Sequence, residues 1–161
     1  MAVDRSVKLA FQAIQLALRG LQTANGYSVD VVQVLRTIEP VVLNSLTSLS
    51  SPALMVGRTP GQEVRHEPAS ETGSRLTVPA TVFGYVKRGA ENPEDEAAAD
   101  AAEDFVADIV SLIKGTPEFG TARTAKGHIQ NSRVLADNQS VTWDGSSILV
   151  EVRFEFYTFI D

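Results

Sequence analysis

The sequence predicts an α+β fold: an antiparallel-rich mixed β-sheet packed with two main α-helices, and a long loop between the early strands. Three patterns predict it. Apolar residues recur at three- and four-residue spacing over 5–21 and again over 93–114. The C-terminal stretch alternates strictly between apolar and charged residues. Helical and extended segments do not alternate regularly along the chain, which favours α+β over a wound parallel sheet. A length of 161 residues suits a single domain, at about 150 residues per domain.

The first helix is read from Val7, Phe11, Ile14, Leu18 and Leu21, one apolar stripe that Leu9 and Leu16 widen. Asn25-Gly26 breaks it, because both residues tolerate positive φ. "NGYSVDVVQVLRTIEP", 25–40, then reads as a strand. Val29 and Val31 point one way and Val32 and Val34 the other, so both faces are apolar, as in an interior strand that Pro40 ends. Residues 41–75 carry the weakest pattern. Ala53 to Val56 is a short strand candidate. "GRTPGQEVRHEPASETGS" reads as loop, or alternatively as the two arms of a long hairpin.

"RLTVPATVFGYVK", 75–87, returns to strand composition. Pro79 lacks an N–H, which predicts an edge or a bulge there. For the second helix, Asn92 is placed to cap and Pro93 to open the first turn, with Glu94, Asp95 and Glu96 where the helix dipole favours anions. Ala98, Ala102, Phe105, Ile109 and Leu112 form its stripe, Lys114 lies in the last turn and Gly115 is placed to end it. Asp144-Gly145 signals a hairpin. After it Ile148, Val150, Val152, Phe154 and Phe156 alternate with Glu151, Arg153 and Glu155, the mark of an antiparallel strand with one buried face. Phe105, Ile109, Val152 and Phe154 are expected in one core.

Composition excludes several function classes. The formal net charge of -6 argues against a general nucleic-acid binder, which shows a basic face, although a local basic patch is compatible with it. With no cysteine, disulfides, thiolate catalysis and cysteine-ligated zinc are ruled out. The N-terminus lacks the order of a signal peptide, and no apolar run approaches the roughly 20 residues that cross a bilayer. A cytoplasmic place of synthesis is therefore expected, and the glycosylation sequon at Asn138 is without consequence.

The search for chemistry finds no catalytic, cofactor-binding or metal set. His66 stands beside Glu67 and near Glu63, but no second histidine is close along the chain; His128 is equally isolated. Both read as structural. Gly115 and Gly120 have phosphate-loop spacing, yet Thr121-Ala122 follows where lysine and a hydroxyl residue are needed. No serine occupies a Gly-x-Ser-x-Gly elbow. Tyr27, Phe83, Tyr85, Trp143 and Tyr157 read as packing. The carboxylates of 91–108 read as the solvated face of a helix. One contrast stands out. Asp100, Glu103, Asp104 and Asp108 make that helix acidic, while Phe119 to Arg133 holds Arg123, Lys126 and Arg133 and no acid. Acidic and basic patches on one chain favour head-to-tail association of copies, and these seven residues are the candidate subunit interface.

Four segments, "NGYSVDVVQVLR", "SPALMVG", "NPEDEAAADAAEDFVADIVSLIKG" and "TWDGSSILVEVRFEFYTF", follow one another in an order that resembles the tail terminator (tail completion) proteins of long-tailed bacteriophages. The resemblance implies a small α+β subunit, a homohexameric ring that caps the finished tail tube and joins it to the neck below the capsid, and no catalytic residues or cofactor. Its partners would be copies of itself, the tail tube protein and a neck or head-completion protein, with DNA only in transit through the lumen and no membrane. It implies residence in the virion, at the junction of tail and neck. Two other classes fit the same elements: another virion part, such as a neck, head-completion or tail tube protein, and a small enzyme or ligand-binding domain. A tube protein would form long polymers where a terminator stops at a ring; an enzyme needs a concave pocket with convergent polar groups.

Overall fold

The computed structural model describes residues 5–38, 50–68, 74–88, 94–144 and 147–160. Its elements run α1 (Ser6–Leu18), a 3₁₀ turn (Thr23–Asn25), β1 (Gln33–Arg36), β2 (Ala53–Arg58), β3 (Arg65–Pro68), β4 (Ser74–Lys87), α2 (Glu96–Gly115), β5 (Ile129–Asp144) and β6 (Ser147–Ile160). The described strands form one open sheet in the order β1-β2-β4-β6-β5, with β3 beside the first residues of β4. Among the described strands only β1 and β2 pair in parallel, so the fold is α+β with an antiparallel-rich mixed sheet.

The two described helices lie on one face of the sheet, α1 against β1, β2 and β6 and α2 against β5 and β6. The side chains that β6 turns toward them are the apolar half of its alternation, from Ile148 to Phe156, and all are buried. Phe105, Ile109, Val152 and Phe154 share that core as expected, each with no exposed surface. Phe11 meets Phe156 edge to face at 5.2 Å, which ties α1 to the middle of the sheet. Where the Phe105 ring lies on β4 there is no room for a side chain: a Cβ on Gly84 would stand 2.3 Å from Cε1 of Phe105 and 2.7 Å from Cγ2 of Val150.

Several expectations are corrected. The apolar run after Asn25-Gly26 is not an interior strand. Residues 27–32 are irregular, pairing begins only at Gln33, and β1 is the short strand at the end of the sheet. The apolar residues of this run face two ways: Val31 and Val34 are buried in the core that α1 shares, while Val32 is 64% exposed. The Val31 N–H donates to the carbonyl of Leu21, and Gln22 Nε2 donates to the Val31 carbonyl, so tertiary bonds take the place of a ladder here. Pro40 lies outside the described residues.

Pro79 sits in a central strand, not at an edge of the sheet. β4 pairs along its whole length with β6. On its other side it pairs with β3 over 74–77 and with β2 over 80–85. Pro79 lies where those two partners change over. Its carbonyl accepts from Thr59 N at 3.1 Å on that side, so its missing N–H falls in the gap and breaks no ladder bond. The segment 57–74 is part strand: β3 and the start of β4 are the arms of a hairpin, and Thr59 is buried with its hydroxyl 2.8 Å from that of Thr81. Residues 69–73 lie outside the described chain.

Capping of α2 falls to Asp95, whose side chain accepts from Ala97 N at 3.0 Å; Asn92 and Pro93 are not among the described residues. At the other end Gly115 is still helical. Thr116 closes the helix, with both its N–H and its hydroxyl donating to the Leu112 carbonyl. The final hairpin is present, with Asp144 opposite Ser147.

Candidate subunit interface

Asp100, Glu103 and Asp104 are exposed on the outer face of α2. Their spacing places them side by side on a helix. Asp108 is different. It is half-buried, and its Oδ2 accepts from the N–H of Ser28 at 2.9 Å and from the Ser28 hydroxyl at 2.5 Å. The carboxylate anchors the irregular segment before β1 to α2, an internal task.

The three basic residues are not gathered. Arg123 and Lys126 are exposed in the turns between α2 and β5, a segment held beside α1 by Gly127. Gly127 has φ +78°, and a Cβ there would stand 2.9 Å from Ala10 N and 3.0 Å from the Ser6 carbonyl oxygen. Arg133 lies on β5 and turns to the sheet face away from the helices, where it sits 2.9 Å from Oε1 of Glu155. Arg65 of β3 reaches Oε2 of the same carboxylate at 3.1 Å, and the Tyr157 hydroxyl donates to Oε1 at 2.8 Å. The Glu155 side chain is only 8% exposed, so two guanidinium groups and a phenol compensate a buried charge. Arg75 stacks over the Tyr157 ring at 5.1 Å and pairs with Glu67. Burial, and then the hydrogen bond and charge of Glu155, raise the Tyr157 pKa above its ordinary value.

This second sheet face carries a small apolar cluster of Ala53, Met55, Tyr85 and Leu149, with Phe83 against it. No described helix covers it.

A basic groove forms elsewhere. Arg5 and Lys8 at the start of α1, Arg36 at the end of β1 and Arg58 at the end of β2 rim a concavity of about 550 Å3, floored by Val7, Phe11, Val56 and Leu76. All four cations are exposed, and none has an ion pair among the described residues. Arg5 holds the N-cap position without a capping side chain, and the first turn has no acidic residue. The positive end of the helix dipole therefore adds to the groove. Sequence reasoning missed this set because its members are spread over 54 positions and no local motif joins them; only the parallel β1–β2 pairing brings Arg36 and Arg58 to one end of the sheet.

His66 is exposed on β3. His128 is half-buried, its Nδ1 3.2 Å from the Thr121 hydroxyl. Among the described residues no group of three or more His, Cys, Asp or Glu side chains is disposed to hold a metal ion, and no helix is long and apolar enough to cross a membrane. No protein-family model matches the chain, and no curated protein matches it.

Proposed function

We propose that this chain is a structural subunit of a long-tailed bacteriophage, a tail-terminator-like protein that closes into a ring of six. The ring caps the tail tube and joins it to a neck or head-completion protein, and DNA passes through its lumen. It is assembled in the host cytoplasm and resides in the virion, where it works by contact and not by catalysis.

The observation that carries this reading is the open sheet with two different ends. One end is the four-residue β1, flanked by Val32 and by Ile38, which is 89% exposed; the other is the sixteen-residue β5. Free sheet ends and exposed apolar residues are a liability in a lone subunit. Because the two ends differ, joining one to the other is a heterologous contact, which gives a ring when its rotation closes and a filament when it does not. The order of the four segments supports the closed case.

The test is the mass and shape of the purified protein. A closed ring with a mass near six times 17.3 kDa, seen by native mass spectrometry and electron microscopy, is expected. A species that stays monomeric at high concentration overturns the reading; open polymers would move it to a tube protein.

A further inference from the structure

We infer that the basic groove at the start of α1 receives the acidic outer face of α2 from a second copy of this chain. The inference rests on the ring reading above and names its contact.

Charge points to the occupant. In a chain of net charge -6, four cations with no ion pair among the described residues share one groove with a helix N-terminus, and their mutual repulsion is relieved by an anionic partner. The chain itself presents such a partner in Asp100, Glu103 and Asp104, exposed on a helix whose neighbouring exposed residues include Ala97, Ala99 and Ala107. Alanines let the helix approach closely, so the apolar floor of the groove is covered while the carboxylates reach the cationic rim. A nucleic-acid backbone, the competing anion, would leave that floor against phosphates.

Position points to a second copy. α1 and the groove lie over the β1–β2 end of the sheet, whereas α2 lies over β5 and β6. Each subunit thus carries the two complementary surfaces at opposite ends. Bringing them together between copies is a head-to-tail contact of the kind a ring repeats. The groove also replaces the pairing expected from the sequence, since Arg133 is engaged with Glu155 and Asp108 with Ser28.

Two full-length variants test this. The groove variant is Arg36→Glu with Arg58→Glu; the helix variant is Asp100→Arg with Asp104→Arg. Each alone sets like charges against each other. Each should raise the concentration for half-assembly by about tenfold or more while keeping the parent's circular dichroism spectrum. Mixed one to one, they should recover rings in which the two variants alternate, an arrangement an even-numbered ring accepts. If the variants assemble as the parent does, the ring stands and this contact is overturned. If each fails and the mixture does not recover, α2 is not the occupant. If the groove variant still forms rings but those rings lose retention of a short DNA duplex, the groove serves phosphate instead. If the parent never assembles, the ring reading fails and takes this inference with it.

Discussion

Gly84 and Tyr157 show how single residues set limits on this sheet. Gly84 is the point at which the Phe105 ring rests directly on β4 backbone. Adding one methyl there drives it into two buried side chains that have no free space to retreat into. Gly84→Ala should cost about 1–3 kcal/mol, read as a lower urea midpoint; unchanged stability would mean that the ring is not seated there. Tyr157 works through charge. Its pKa is raised in the folded chain, so the folded state holds the phenolic proton more tightly than the unfolded state. That contribution is fully present below the ordinary value of 10.0 and is lost as pH rises through the folded value. Melting temperature should therefore fall as pH rises above about 10, and Tyr157→Phe should flatten that part of the profile. An identical alkaline decline in the variant would assign it to other groups.

At the scale of elements, α2 shows how local signals and context divide the work. Its stripe from Ala98 to Leu112 and its acidic start specify a helix before any packing is considered. Which residue caps it depends on where the chain turns. That residue is Asp95, with Ala97 N as its donor. Asp95→Ala should cost about 0.5–2 kcal/mol, measured by thermal or denaturant unfolding, whereas a full-strength helix end in the variant would mean the cap is supplied elsewhere. β6 is the complementary case. It pairs along its length with β4 and, with two register shifts, over most of it with β5, and its apolar half contributes Val152, Phe154 and Phe156 to the core. Its polar half is no ordinary solvent face, since Glu155 is buried under Arg65 and Arg133. The charge alternation that marked the strand therefore also built a cross-strand ion network.

At the largest scale, the described helices cover one face of the sheet, and β1 and β5 stand at its two ends. The acidic surface of α2 and the basic groove beside α1 sit apart on that frame. If charge steers subunits together while apolar residues such as Val32 and Ile38 hold them, salt should act mainly on the rate of assembly. The Debye length falls from about 10 Å at 0.1 M to about 3 Å at 1 M salt. Ring formation followed by light scattering should slow over that range, and rings already formed should persist. A rate independent of salt would remove the steering role of these charges.

Side-chain order alone specifies the elements whose period and end signals agree: α1, α2, the closing hairpin, and the alternation that puts Phe154 and Phe156 inside. These are set by the local geometry of 3.6 and 2.0 residues per repeat, which side-chain order encodes directly. Long-range packing settles the matters that depend on distant partners. Val32 and Val34 look equivalent along the chain, yet one faces solvent and the other the core, because the strand begins only at Gln33 and the irregular segment before it does not continue the alternation. Pro79 looks like an edge residue, yet it sits in the centre, because β3 and β2 change over beside it. Arg133 looks available, yet Glu155 holds it. Arg5, Lys8, Arg36 and Arg58 look unrelated, yet the parallel pairing of β1 with β2 and the seating of α1 on them bring all four to one groove. Long-range pairing sets which charges are neutralised inside the fold and which are left for a partner, and no local pattern records it.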